Sequence, residues 1–127
     1  MGKFTFRKEE RLIKEKQIQE LFDKGSSFYL FPFKVFFMPG PEPLKHHQIL
    51  ISVSKRNFKR AVDRNLIKRR MREAYRLQKQ FLPEAPPLMI GYIYAHKEIL
   101  LFEEIKRRML QSFKKIPKAP VKNSGSV

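Results

Sequence analysis

Between Phe58 and Gln80 the chain runs without a single Pro or Gly, is rich in Arg, Lys, Leu and Ala, and spaces its apolar residues in a helical rather than an alternating pattern. Such a segment predicts a long central helix, because nothing in it interrupts the i→i−4 ladder and most of its residues favour one. Its charge then limits how that helix can pack. Residues 55–79 hold Lys55, Arg56, Lys59, Arg60, Arg64, Lys68, Arg69, Arg70, Arg72, Arg76 and Lys79 against Asp63 and Glu73, an excess of nine positive charges. At about 100° per residue, Ile67, Met71 and Ala74 share one arc, while Arg64, Asn65, Lys68, Arg69, Arg72 and Arg76 fall on a neighbouring arc of roughly 140°. A narrow apolar stripe for the core thus lies beside a cationic stripe. Bases one turn apart are about 5–6 Å from each other, close to the separation of neighbouring phosphates, so the stripe can track a nucleic acid backbone. Asn65 adds a donor and an acceptor that can fix orientation. The bland alternative is a solvated face with intrahelical pairs such as Arg69 to Glu73, which is weaker where two acids serve eleven bases.

The whole chain carries 28 Lys and Arg against 12 Asp and Glu, a formal charge of +16 over 127 residues. Self-repulsion of that size points to a polyanionic partner, nucleic acid first and an acidic membrane surface as the rival. The length suits a single domain over residues 1–116 with a loose basic tail from 117 to 127. With no cysteine, disulfides, thiolate catalysis and Cys-based metal sites are excluded. The longest near-continuous apolar stretch, Leu88 to Ala95, is far short of the roughly 20 residues a membrane span needs. The start, Met1 to Phe6, lacks a signal peptide's apolar segment, and Phe6 stands where myristoylation requires Ser or Thr. A soluble, cytoplasmic, monomeric protein with no membrane partner is expected.

Ile18, Leu21 and Phe22 recur at helical spacing between Lys14 and Lys24, and Gly25 follows as an expected left-handed stop. Ser26 to Met38, dense in aromatics and Val but interrupted by Pro32, reads as a strand with an edge or bend, ending in the turn Pro39 to Pro43. Gln48 to Ser54 puts Ile49, Ile51 and Val53 on one pleat face with Leu50 opposite, a strand expected to pair with the one before it. After the central helix, Pro83, Pro86 and Pro87 break the chain, and Leu88 to Ala95 reads as a buried strand. Phe102, Ile105, Met109 and Phe113 predict a last helix from about Ile99 to Lys115. The order helix, strand, strand, helix, strand, helix suits an α+β two-layer sandwich with helices needed on only one sheet face. Twelve Phe and four Tyr exceed what that layer requires, so the other face could carry an aromatic patch.

Catalytic chemistry is missing from the pattern. A nuclease would need clustered carboxylates for Mg²⁺ or a His pair for acid–base work, whereas Asp23, Asp63, Glu73, Glu84, Glu98, Glu103 and Glu104 are scattered. His46 and His47 sit in a Pro-flanked loop, read as solvated, and adjacent histidines do not converge easily on one ion. No catalytic residue, metal site or protein-bound cofactor is expected.

The segments Ser52-Val53-Ser54-Lys55-Arg56 and Arg64-Asn65-Leu66-Ile67-Lys68-Arg69-Arg70-Met71-Arg72-Glu73-Ala74-Tyr75-Arg76 resemble the ribonuclease P protein family, which carries a strand ending in Ser-Lys and a helix bearing Arg-Asn-basic-x-Lys-Arg-x-x-Arg. Arg11-Leu12 and Ile18 to Gly25 look like that family's first helix, and the similarity extends over about residues 8–115. The resemblance implies a ribosomal-protein-like fold with a left-handed βαβ crossover, against the usual right-handed rule. It implies a basic helix facing a catalytic ribonuclease P RNA that uses Mg²⁺. It also implies a cleft between the first helix and the sheet for the single-stranded 5′ leader of precursor tRNA. By position, Lys55, Arg56, Arg64, Asn65, Lys68, Arg69, Arg72 and Arg76 match the RNA-binding segment, and Ile18, Phe22 and Phe36 the leader cleft. Three departures stand out: Leu66 replaces a usual base, Arg70 a common apolar residue, and Ile18 a frequent Phe. The loop from Lys55 to Arg64 is also one residue longer than in many members.

Taken alone, Phe22 and Phe36 read as core residues. Tyr92 and Tyr94 share one strand face and could either extend an aromatic platform or direct their hydroxyls to solvent. A structural RNA-binding protein of ribosomal type would share this composition but would need no aromatic groove. A membrane-surface module would need larger exposed aliphatics opposite the basic stripe than Ile67, Met71 and Ala74 supply.

Overall fold

The computed structural model describes residues 11–12, 14–40, 46–83 and 86–116. The expected turn at Pro41 to Pro43 and the expected loose tail from Lys118 lie outside the described residues, as does Glu84. Among the described residues, three α-helices and four strands follow in the order α1 (Glu15–Lys24), β1 (Ser26–Leu30), β2 (Phe33–Pro39), β3 (Gln48–Val53), α2 (Ala61–Gln78), β4 (Leu88–Tyr94) and α3 (Phe102–Lys115), with a 3-10 turn at Lys79–Phe81. The sheet order is β1-β2-β4-β3. β1 and β2 form an antiparallel hairpin, β2 and β4 are antiparallel, and β3 and β4 are parallel. Among the described residues no helix is long and apolar enough to cross a membrane.

Two strand expectations change. Ser26 to Met38 is not one bent strand but two, reversed at Phe31-Pro32, a cis peptide. The strand Gln48–Val53 does not pair with its predecessor, because β4 lies between them. β4 is buried at nearly every position, so it gains most from a central place with ladders on both sides. β3 becomes an edge, and its outer side is partly covered by the N-terminal segment: Arg11 bridges Ile49, and the Leu12 N–H donates to the Ile49 carbonyl at 2.9 Å.

Pleat alternation divides the sheet into two faces. Phe33, Val35, Phe37, Ile49, Val53, Leu88, Ile90, Tyr92 and Tyr94 face α2 and α3 and build the main core with Ile67, Met71, Ala74, Tyr75, Ile105, Met109 and Phe113. Tyr92 and Tyr94 are therefore not part of any open platform. Tyr92 shares a hydrogen bond with Ser112, and Tyr94 donates to the Glu98 carbonyl and accepts from the Leu100 N–H. Burial pushes the Tyr92 hydroxyl well above its ordinary range, consistent with a neutral hydroxyl that must be hydrogen-bonded inside the core.

The helix starts are set by side-chain hydrogen bonds to the loops that precede them. α3 begins at Phe102 rather than Ile99 because the Leu100 N–H goes to Tyr94 and its carbonyl accepts from Arg70 Nη1 at 2.6 Å. α2 begins at Ala61 rather than Phe58 in the same way: Arg64 Nη1 donates to the Phe58 and Lys59 carbonyls, at 2.8 and 3.0 Å. Two arginines of the basic helix thus brace its entry loop and the loop before α3.

The opposite sheet face carries a smaller cluster under α1: Leu12, Leu21 and Met89, with Ile18, Phe36, Met38 and Leu50 packed against it. Leu21 is fully buried, a side chain whose burial stabilises by about 1.5–3 kcal/mol. Gly25 ends α1 in extended rather than left-handed conformation, with φ −73°. Glycine is required there by crowding: a Cβ would lie 2.5 Å from the Leu21 carbonyl oxygen and 3.1 Å from that of Phe37. Gly91 plays a related part in β4, where a Cβ would come within 3.2 Å of Leu21 Cδ2 and 3.7 Å of the Phe22 ring. These two glycines let α1 lie close on the sheet.

Candidate nucleic-acid interface

The short helix α1 cannot cover the sheet face on which it rests. Its residues Ile18, Leu21 and Phe22 press on the part formed by Phe36, Met38, Met89, Gly91 and Leu50. Phe22 and Phe36 meet edge to face, with ring centroids 4.9 Å apart and an interplanar angle of 80°. Both are half-buried, so the pair is partly open to solvent where helix and sheet meet. Ile18 packs in the same seam. The three residues expected to form a cleft are brought together.

Beyond that margin the face is open. Strand register aligns Tyr29 with Lys34, Lys34 with Ile93, and Ile93 with Ser52, a row crossing all four strands. Tyr29 and Lys34 are exposed, Ile93 and Ser52 half-buried. The Lys34 ammonium stands 5.8 Å from the centroid of the Phe36 ring, close enough for a cation–π attraction. Sequence reading missed this row. Its signal was present, since Lys34 is two residues from Phe36 and so shares its pleat face, but Tyr29, Ile93 and Ser52 join it only once strand partners are known.

At its β3 end the row meets the turn after that strand. There the Arg56 N–H donates to Ser54 Oγ at 2.9 Å, and the Lys55 and Arg56 side chains are exposed. α2, which packs beside β3, supplies the rest of the cationic surface. Ile67, Met71 and Ala74 are fully buried as the wheel required, joined by Tyr75 and Gln78. Asn65, Arg69 and Arg72 are exposed and Lys68 half-exposed. Among the described residues, the side chains of Lys55, Arg56, Asn65, Lys68 and Arg69 make no hydrogen bond or ion pair, which leaves their donors available. Desolvation, and then the like charge of Arg11, hold the Arg72 guanidinium below its ordinary pKa.

Other members of the predicted stripe are engaged within the protein. Arg64 is half-buried and braces the entry loop. Arg76 pairs with Glu73, the acid that the sequence had suggested for Arg69. The hydrogen bond from Arg76 is the main reason the Glu73 carboxyl is held below its ordinary value. His47 is buried rather than solvated: one ring nitrogen contacts the Pro83 carbonyl, and the other accepts the Leu88 N–H at 2.9 Å. Among the described residues no three His, Asp or Glu side chains are grouped to hold a metal ion.

Comparison with known proteins shows the family and the fold. The Ribonuclease P family model matches residues 6–117. The ribonuclease P protein component of Porphyromonas gingivalis is 33% identical over 130 residues, spanning 94% of this chain and 95% of its own. That of Chlorobium phaeobacteroides is 36% identical over 121 residues, with 83% of each chain covered. The solved Staphylococcus aureus RNase P protein superposes with a TM-score of 0.72 at 26% identity, over 86% of this chain and 96% of that one. The RNase P protein from Thermotoga maritima gives 0.73 at 26% identity, over 85% and 98%. With a family match over nearly its whole length and the same fold in solved members, the chain belongs to the family of bacterial ribonuclease P protein components.

Proposed function

We propose that this chain serves tRNA 5′-end maturation as the RNA-binding subunit of a ribonuclease P holoenzyme. In this reading α2 and the Lys55-Arg56 turn dock on the catalytic RNA, and the seam between α1 and the sheet receives the single-stranded 5′ leader of precursor tRNA. The observation that carries it is the adjacency of two surfaces of different chemistry. A cationic helix on which Lys68 and Arg69 have no internal partner among the described residues borders an aromatic-edged strip of open sheet. Folded RNA is met by the first through its phosphates, and unpaired bases by the second through stacking on ring faces.

The protein acts on the reaction by binding. Two polyanions repel as substrate approaches the catalytic RNA, and a chain of formal charge +16 placed between them screens that repulsion and raises substrate affinity. No side chain here acts as acid, base or nucleophile. The cleavage, with its Mg²⁺, belongs to the RNA.

The test is binding of precursor tRNA with and without its 5′ leader, each measured with and without the cognate ribonuclease P RNA at fixed salt. Leader-dependent tightening that requires the RNA subunit supports the proposal. Equal affinity for both substrates in every condition would identify instead a structural RNA-binding protein of ribosomal type.

A further inference from the structure

The aromatic seam of Phe22 and Phe36 occupies only the middle of the open sheet face. The row Ser52–Ile93–Lys34–Tyr29 continues past it from β3 to β1. Three interstrand steps of about 4.8 Å make this strip about 14 Å long, room for roughly two or three unpaired bases. Its two ends differ. At the β3 end lie Lys55, Arg56 and the basic helix, all suited to phosphates. At the β1 end lies Tyr29, 54% exposed, on a strand that carries no charge. Lys34 is the one cation of the row; it is the register partner of Tyr29 and its ammonium reaches the Phe36 ring.

An exposed tyrosine by itself is ordinary. This one lies on the same pleat face as Phe36, at the far end of an open strip, with a lysine as its register partner. A ring followed by a cation is the arrangement that holds one nucleotide of a flexible strand, the base stacked and the phosphate paired.

We infer that Tyr29 and Lys34 form an outer subsite on the β1 edge, which binds a nucleotide of the single strand farther from the cleavage site than those held by Phe22 and Phe36. The inference rests on the leader-binding reading above and deepens it. The direction follows from the placement of α2. The catalytic RNA docks on the β3 side, so the leader leaves it there, crosses Ser52 and Ile93, passes the seam, and reaches Tyr29 last. Stacking of this kind tolerates any base, so the subsite measures leader length rather than leader sequence.

The experiment is a leader-length series on the reconstituted holoenzyme: precursor tRNAs with leaders lengthened one nucleotide at a time, bound at fixed salt to wild type, Tyr29→Ala and Tyr29→Phe. Wild-type affinity should rise with length and level off. Tyr29→Ala should level off at a shorter leader, losing about tenfold only for leaders long enough to reach the β1 edge, and Tyr29→Phe should restore the wild-type curve. A Tyr29→Ala curve that follows wild type at every length overturns the subsite while leaving the leader reading in place. Equal losses at all lengths also overturn it, by assigning Tyr29 a structural role. Wild-type affinity that does not depend on the leader overturns both.

Discussion

The ring of Phe22, on α1, meets the ring of Phe36, on β2, edge to face with 4.9 Å between centroids. Gly91 lies beneath this contact, and its missing side chain leaves the space that the Phe22 ring and Leu21 fill. An edge-to-face pair is held by the ring quadrupoles as well as by buried area, about 0.5–1.5 kcal/mol beyond burial. Both residues sit at the margin between closed seam and open strip. Replacing Phe36 by Leu keeps the apolar wall and removes the ring. Leader-dependent affinity should fall about tenfold, while affinity of the protein for the catalytic RNA alone stays within twofold of wild type. Equal losses in both assays would show that the ring serves the fold and not the leader.

The cationic stripe should be separable by salt. Lys68 is free of internal partners among the described residues, so Lys68→Ala should reduce the slope of log affinity against log salt by about 0.7–0.9 and leave thermal stability close to wild type. Arg64 has a structural task, donating to the Phe58 and Lys59 carbonyls. Arg64→Ala should destabilise the fold by about 1–3 kcal/mol, visible as an earlier denaturant midpoint. If the two variants shift the midpoint equally, the division between docking and bracing residues is wrong.

Gly25 gives a test of how α1 is seated. A Cβ there would lie 2.5 Å from the Leu21 carbonyl oxygen, a backbone atom that moves only if the end of the helix moves. Gly25→Ala should cost about 1–3 kcal/mol in overpacking, despite an extended backbone that alanine tolerates. A thermal midpoint unchanged from wild type would show that α1 is seated more loosely than its contacts indicate.

His47 ties the start of β3 to that of β4. Through one ring nitrogen it accepts the Leu88 N–H, and through the other it meets the Pro83 carbonyl. His47→Ala leaves buried backbone groups without these partners, a loss of about 1–3 kcal/mol. Amide exchange should speed up at Leu88 in particular; exchange there at the wild-type rate would argue against the staple.

Glu104 gives a pH signature. Hydrogen bonds from Arg108 and Arg107 hold its carboxyl below its ordinary 4.5. A carboxyl depressed in the folded state contributes stability above its unfolded value, and the contribution is lost as pH falls through the folded value. The stability difference between wild type and Glu104→Gln should therefore be present at neutral pH and shrink below about pH 4.5. A difference that holds constant from pH 7 to pH 3 would rule out the pairing as its source.

Local pattern was enough to place the helices and the basic stripe. Ile67, Met71 and Ala74 are buried because a 3.6-residue period leaves them no other face, and the charge beside them followed from the same geometry. The family resemblance supplied Ile18, Phe22 and Phe36, which periodicity alone would have consigned to the core. What remained hidden depends on partners distant in sequence. Tyr92 and Tyr94 proved to be core because β4 lies between β2 and β3, with its even-numbered residues toward α2 and α3. Arg64 and Arg70 proved to be braces because carbonyls of neighbouring loops come within their reach. The open row from Ser52 to Tyr29 exists only through register across four strands. Sequence by itself determined which surfaces repeat along an element, since periodicity is a property of one segment. Only the tertiary structure decided which of them face each other and which stay open, since that depends on which segments compete for the centre of the sheet.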